Sequence, residues 1–223
     1  MRNRALSFVF VMAVCAAALA QSGSTQPGKV ERIGAFSEKD VSEKMVAAVE
    51  EKGYRVMLGD AATAEIWLAK NATAVDSKSG DTSAVFPQLG QGAFIGVIRF
   101  IVPAKDFRGQ EIKPATYSMR YDRLPKDGNH MGAAAQPDFV LLAPVSDDFD
   151  PSKAMPERVM VNLGKRTTGT AHPAVFSLVP TDSVKELPSV FRNNDGFDGF
   201  AAKINIGGKE MPFAIVLKGQ AAQ

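Results

Sequence analysis

The chain has 223 residues, a formal net charge of +2 and a single cysteine. So small a charge gives no field that would draw the protein to DNA or to an anionic membrane, so we expect no nucleic-acid partner. One cysteine cannot form an internal disulfide, and apolar packing must therefore hold the fold together.

The first 20 residues have the pattern of a secretory signal peptide. Arg2 and Arg4 form a basic start, an apolar run follows, and small residues precede a predicted cleavage between Ala20 and Gln21. The run is shorter than the roughly 20 apolar residues of a membrane-spanning helix, so we expect no transmembrane segment after cleavage. The mature chain would lack Cys15 and carry 24 basic and 24 acidic residues. We predict a periplasmic or secreted protein without a thiol for catalysis or metal binding.

Residues 21–30 are polar with Gly and Pro, which predicts a flexible lead-in before a single domain over 31–223. A sequence similar to a capping box, Ser37 to Asp40, then predicts the start of an amphipathic helix that ends at Gly53. Its apolar positions are Val41, Met45, Val46 and Val49. The polar face carries both glutamates and lysines, which favours a helix packed on a core over one lying on a membrane.

Short strand-like segments separated by Gly and Pro follow from Tyr54 onward. They cover 54–58, 64–70, 96–102, 137–144, 158–161, 174–180 and two stretches around Gly207-Gly208. Between them, Tyr117, Met119 and Tyr121 alternate with polar residues, which predicts a strand with one solvent-facing side.

These strands predict the fold class. Parallel sheets need crossover helices, and the sequence indicates almost no helix between the strands, so the sheets should be antiparallel. We predict a mainly β protein: an antiparallel two-sheet β-sandwich, immunoglobulin-like or jelly-roll-like, with one N-terminal amphipathic helix.

Familiar catalytic motifs are missing from the sequence. It contains neither a G-x-S-x-G nucleophile elbow nor a P-loop. The glycines at 90, 92 and 96 have the wrong spacing for a dinucleotide-binding motif and favour a turn before a strand. The acidic stretches 147–150 and 193–199 lack the spacing of an EF-hand, so we expect Asx turns there, not calcium sites.

The two histidines mark the candidate binding site. His130 lies beside Asp127, Asn129 and Met131 in one connecting segment, and His172 lies in another. Connecting segments cluster at the ends of a sandwich, so the two rings could meet. Together with Asp127 or Met131 they would suit copper or zinc, but no third ligand has diagnostic spacing, and hydrogen bonding within each loop is favoured. No cofactor is therefore predicted, and copper or zinc remains the alternative.

One segment, residues 114–148, resembles a segment of secreted, uncharacterised proteins from environmental bacteria. The shared pattern is a Tyr-x-x-Arg-Tyr strand, then Pro-x-Asp-Gly-x-His-Met-Gly, then Asp-Phe-x-Leu-Leu. The matching residues are Pro114, Tyr117, Arg120, Tyr121, Pro125, Asp127, Gly128, His130, Met131, Gly132, Asp138, Phe139, Leu141 and Leu142. The resemblance implies an exported β-sandwich and carries no catalytic residue across.

We therefore expect a non-enzymatic protein of the cell envelope with an accessory or ligand-binding role. Its partner would be an envelope ligand or protein that the sequence does not identify, bound by the loops around 125–137 and 166–173. Two alternatives stay open. One is a copper or zinc protein that uses His130 and His172. The other is a hydrolase, which would need a histidine–carboxylate pair inside a pocket.

Overall fold

The computed structural model describes residues 28–75, 84–124, 134–182 and 184–219. This part of the chain is mainly β with antiparallel sheets, as predicted. The elements are β1 (Gly28–Ile33), α1 (Glu43–Ala48), β2 (Gly53–Leu58), β3 (Ala61–Leu68), β4 (Phe94–Phe100), β5 (Ala104–Lys105), β6 (Glu111–Ile112), β7 (Thr116–Arg123), β8 (Asp138–Pro144), α2 (Glu157–Thr168), β9 (Val175–Ser177), β10 (Ser189–Arg192), β11 (Asp198–Ile206) and β12 (Lys209–Lys218). Neither helix is long and apolar enough to cross a membrane.

The strands form two main sheets. One has seven strands in the order β1-β2-β3-β4-β7-β8-β9, and the other has three in the order β10-β11-β12. Strands β5 and β6 form a small separate hairpin on either side of residues 106–110. The seven-stranded sheet joins the other where Val179, just after β9, donates its N–H to the Ala214 carbonyl of β12 at 3.1 Å. At the opposite ends of the two sheets, β1 lies beside β10.

One hydrophobic core joins the two sheets. Ile66 and Ile98 of the seven-stranded sheet belong to the same buried cluster as Phe200 and Phe213 of the three-stranded sheet. Tyr54 of β2 also contacts Phe200, with ring centroids 5.0 Å apart. This shared core follows from the period-two apolar pattern, which gives each strand one face to bury.

The other face of the seven-stranded sheet is also covered. Trp67 and Val97 pack against Phe36 and α1. On β8, Val140 and Leu142 belong to the central core, whereas Phe139 and Leu141 belong to a cluster with Met160 of α2. A strand that is covered on both faces of the sheet buries successive residues, not only every second one.

This coverage corrects the prediction that β7 has one solvent-facing side. Ser118, Arg120 and Asp122 are buried, like Tyr117, Met119 and Tyr121 with which they alternate. Arg120 is accommodated because it forms an ion pair with Asp148, in the segment that follows β8. A polar face of a strand can be buried when its charges find partners.

Residues 158–161, predicted as a strand, belong to helix α2, so that prediction was wrong. Pro156 precedes the first helical residue and Gly169 closes the helix with a left-handed φ of 68°. The buried positions of α2 are Met160, Gly164 and Thr167. Their spacing of four and three residues is the helical period, which outweighs the strand propensity of the two valines.

The N-terminal region also differs from the predictions. Strand β1 begins at Gly28, so residues 28–30 of the predicted lead-in are paired with β2. In the stretch after Ser37, the six-residue helix α1 has Ser42 as its N-cap, whose side chain accepts the Met45 N–H at 3.2 Å. Asp40 has a φ of +61°, which interrupts a helix that would start at Ser37.

Candidate functional site

A cleft of about 230 Å³ lies between α2 and the outer face of β7, β8 and β9. Phe139 and Leu141 of β8 and Val175 of β9 form an apolar floor, and Val161 of α2 forms a wall. We call it the α2 cleft. Clefts with an apolar lining and a few converging polar groups are the usual binding sites for small ligands.

The strand register explains why these side chains meet. Leu141 pairs with Val175, and Phe139 pairs with Asp122, so all four residues lie on one face of the sheet. Helix α2 crosses this face because Met160 packs into the same cluster as Phe139 and Leu141. The cleft is the space that the helix leaves open beside this contact.

One end of the cleft is basic. Arg108 Nη1 lies 2.8 Å from His172 Nδ1. An arginine only donates, so His172 Nδ1 is the acceptor in this contact. Thr168, at the end of α2, donates to the His172 carbonyl at 2.7 Å. Lys165, one turn earlier in α2, lines the same cleft.

The other end is acidic. Asp122 Oδ1 accepts hydrogen bonds from Gln91 Nε2 at 3.0 Å and from the Arg123 N–H at 2.8 Å. Burial raises the pKa of the Asp122 carboxyl, and the nearby Glu157 carboxylate raises it further. Glu157 stands in the first turn of α2. When a buried carboxyl with a raised pKa lies beside a second carboxylate, a bound cation stabilises the charged form of both groups.

Of the predicted site residues, His172 lines this cleft. Asp127, Asn129, His130 and Met131 lie outside the described residues, so the meeting of the two histidines stays a prediction.

The sequence analysis missed the charged residues of the cleft. These are Arg108, Asp122, Arg123, Glu157 and Lys165. A usable signal was present for α2, because Glu157, Val161 and Lys165 are spaced by four residues and therefore lie on one helix face. Arg108 and Asp122 come from distant segments, and nothing local relates them to the helix.

The geometry around His172 is unfavourable for a metal. Its Nδ1 already accepts from a guanidinium, so a metal would have to bind Nε2 with a cation close by. In the described ranges, no group of three His, Cys, Asp or Glu side chains is arranged to hold a metal ion.

The acidic stretches behave largely as expected. Asp150 accepts from the Ser152 N–H at 3.2 Å, and Asn193 accepts from the Asp195 N–H at 3.1 Å, both of which are Asx turns. Asp148 differs, because its carboxylate forms a buried ion pair with Arg120.

A second, wider groove of about 650 Å³ lies beside β2 and β11. Arg32 stacks over the Tyr54 ring there at 4.1 Å, and Lys203 pairs with Glu210 at 2.7 Å. Its opposite charges are intermixed and partly neutralise each other. The α2 cleft, with an apolar floor between separated charges, is the better candidate.

Comparison with known proteins identifies no relative, because no protein-family model, curated protein or solved structure matches the chain.

Proposed function

We propose that this protein is an exported, non-enzymatic binding protein of the bacterial cell envelope that holds a small ligand in the α2 cleft. The observation that carries the proposal is the apolar floor of Phe139, Leu141 and Val175 between two charged ends. In this proposal the two sheets form a sandwich that acts as a rigid support. Export rests on the signal-peptide pattern of the first 20 residues.

The contacts of the polar residues support binding over hydrolysis. General acid–base catalysis by a histidine usually needs a carboxylate within hydrogen-bond reach of the ring. Arg108 occupies His172 Nδ1, while Asp122 Oδ1 accepts from Gln91 and from its own chain neighbour. The same cationic neighbour of His172 argues against the copper or zinc alternative.

Two matched variants of α2 test the proposal. Val161→Trp places a large ring in the cleft, whereas Val159→Trp places the same ring at a position that is 41% exposed. Thermal unfolding would be followed with a panel of short peptides, sugars, organic acids and amines. We expect at least one class to raise the Tm of the wild type and of Val159→Trp but not of Val161→Trp. No response from any class, or an equal response in both variants, would overturn the proposal.

Export is tested separately by expressing the full chain in a bacterium with a periplasm. The expected product in the periplasm or medium has a mass that corresponds to a start at Gln21. An uncleaved chain retained in the cytoplasm would contradict the localisation while leaving the cleft proposal unaffected.

A further inference from the structure

Helix α2 gives the cleft a charge gradient. Glu157, Val161 and Lys165 line it from successive turns of the helix. Eight residues at a rise of about 1.5 Å place the two charged residues about 12 Å apart along the axis. The helix therefore presents a carboxylate at one end, an apolar side chain in the middle and an ammonium at the other end.

The orientation of α2 on the sheet is fixed by its ends. Just before the helix, the Met155 N–H donates to the Gly92 carbonyl at 3.0 Å, and Gly92 in turn donates to the Tyr121 carbonyl of β7 at 2.8 Å. Near the other end, the Ala174 N–H donates to the Gly164 carbonyl at 3.2 Å, just before β9. The helix thus runs diagonally, from β7 at its N-terminus to β9 at its C-terminus.

The side of the cleft formed by the sheet also has an acidic residue near the N-terminus of α2 and a basic residue near its C-terminus. Asp122 of β7 lies near the N-terminal end of α2, because it directly follows Tyr121, whose carbonyl accepts from the Gly92 N–H beside Met155. Arg123 also lines the cleft beside Asp122, so this end holds one arginine as well as two carboxylates. Arg108 lies on the β9 side, since the neighbouring Phe107 donates its N–H to the Val175 carbonyl at 3.3 Å.

A ligand that satisfies both ends must carry opposite charges some distance apart. A single α-amino acid has both charges on one carbon and cannot reach both ends. A peptide of two or three residues spans about 7–10 Å at roughly 3.3–3.6 Å per residue. That length fits between side chains whose backbones are about 12 Å apart along α2.

We infer that the α2 cleft binds a zwitterion with an apolar middle, namely a short peptide of two or three residues with free termini. Its ammonium faces Asp122 and Glu157, its carboxylate faces Arg108 and Lys165, and its side chains lie on Phe139, Leu141 and Val175. This inference rests on the proposed binding function and names its ligand class.

The ligand side of the test uses Leu-Ala and Ala-Leu-Ala in titration calorimetry with the mature wild-type chain. The N-acetylated and C-amidated forms of each peptide remove one charge at a time. We expect each blocked form to bind about 10-fold or more weakly than the free peptide, because each loses a charge-assisted interaction. Equal affinity of free and blocked peptides would overturn the inference.

A second zwitterion, 6-aminohexanoate, tests whether two separated charges are sufficient for binding without a peptide. It has the charge separation of a short peptide without its amide bonds. Binding of 6-aminohexanoate without measurable peptide binding would overturn the peptide assignment. Peptide binding at least as tight as that of 6-aminohexanoate supports it.

The same binding test is repeated with variants at two neighbouring residues of α2. Lys165→Gln should weaken the free peptide about 10-fold but leave the C-amidated form unchanged, because that form has no carboxylate for the lysine. Arg166→Gln is the matched control: Arg166 pairs with Asp147 at 3.1 Å and should not affect either peptide. Equal weakening of both peptides by Lys165→Gln would contradict the assigned orientation.

Failure of this inference is distinguishable from failure of the proposed function. If blocked and free peptides bind alike and Val161→Trp abolishes both, the cleft binds ligands by its apolar floor alone. If no compound binds and Val161→Trp changes nothing, both proposals fall.

Discussion

Arg120 and Asp148 form a buried ion pair between β7 and the segment that follows β8. Both side chains are about 1% exposed. Arg120 Nε donates to Asp148 Oδ2 at 2.7 Å and Nη2 donates to Oδ1, a bidentate pair. The guanidinium also donates to the carbonyls of Gly92, Asp150 and Lys153. One side chain therefore fastens the 148–153 segment onto β7.

The substitution Asp148→Asn keeps the shape but leaves the buried guanidinium without its counter-charge. Removing one partner of a buried pair costs about 3–5 kcal/mol. That is a large part of the roughly 5–15 kcal/mol by which a typical domain is stable. Asp147→Asn is the control, because its partner Arg166 is 63% exposed. A pair of that kind contributes at most about 1 kcal/mol.

Urea unfolding followed by tryptophan fluorescence measures both changes. Trp67 is the only tryptophan and is 3% exposed in the folded protein, so its emission reports unfolding directly. The double variant Arg120→Met with Asp148→Leu removes both charges and should recover more than half of the loss. A loss below about 1 kcal/mol for Asp148→Asn, or one equal to that of Asp147→Asn, would refute this reasoning.

Three further predictions follow from single residues. Gly96→Ala should cost about 2–4 kcal/mol in urea unfolding, because Gly96 has a φ of +146° and a Cβ there would lie 2.3 Å from the Trp67 carbonyl oxygen; a near-neutral effect would contradict the close approach. Gly169→Ala should cost about 1–2 kcal/mol and lower helicity by circular dichroism, since a left-handed residue ends α2; unchanged stability would be the contrary result. Burial raises the folded-state pKa of the Asp122 carboxyl, so the folded protein takes up a proton there more readily than the unfolded chain. The unfolding free energy of the wild type should therefore rise relative to that of Asp122→Asn as the pH falls from 7 towards 4. A constant difference between the two unfolding free energies across that range would show that the pKa is not raised.

The strands were predictable where apolar residues alternate and a turn separates them. Strands β2 and β3 correspond to the predicted segments 54–58 and 64–70 and meet at Gly59-Asp60, and β11 and β12 meet at Gly207-Gly208 as predicted. In both hairpins the signal is local, because the turn residues and the flanking strands are contiguous.

Helix α2 was missed because its short apolar core, Val159 to Val161, has the composition of a strand. The decisive signals were the residues around it, Pro156 before the helix and Gly169 after it. The pair Lys165-Arg166 also suits the last turn of a helix, where basic residues are favourable.

The buried polar side of β7 could not be inferred from the strand itself. Whether Arg120 faces water or a partner depends on Asp148, which is 28 residues away in the chain. The same limit applies to the α2 cleft. His172 was recognised from its rarity, but its neighbours come from separate elements that only the folded chain brings together.

The way the two sheets adjoin bears on how this protein behaves when concentrated. An uncovered outermost strand offers free main-chain groups to another molecule, and such edges promote fibril growth. In the part of the chain described, β9 is followed by a hydrogen bond to β12, and β1 lies alongside β10. An incoming copy would have to displace one of these neighbours before it could add a strand. That protection would matter in the mature chain that the proposed cleavage would leave, because its equal numbers of acidic and basic residues would provide little mutual repulsion.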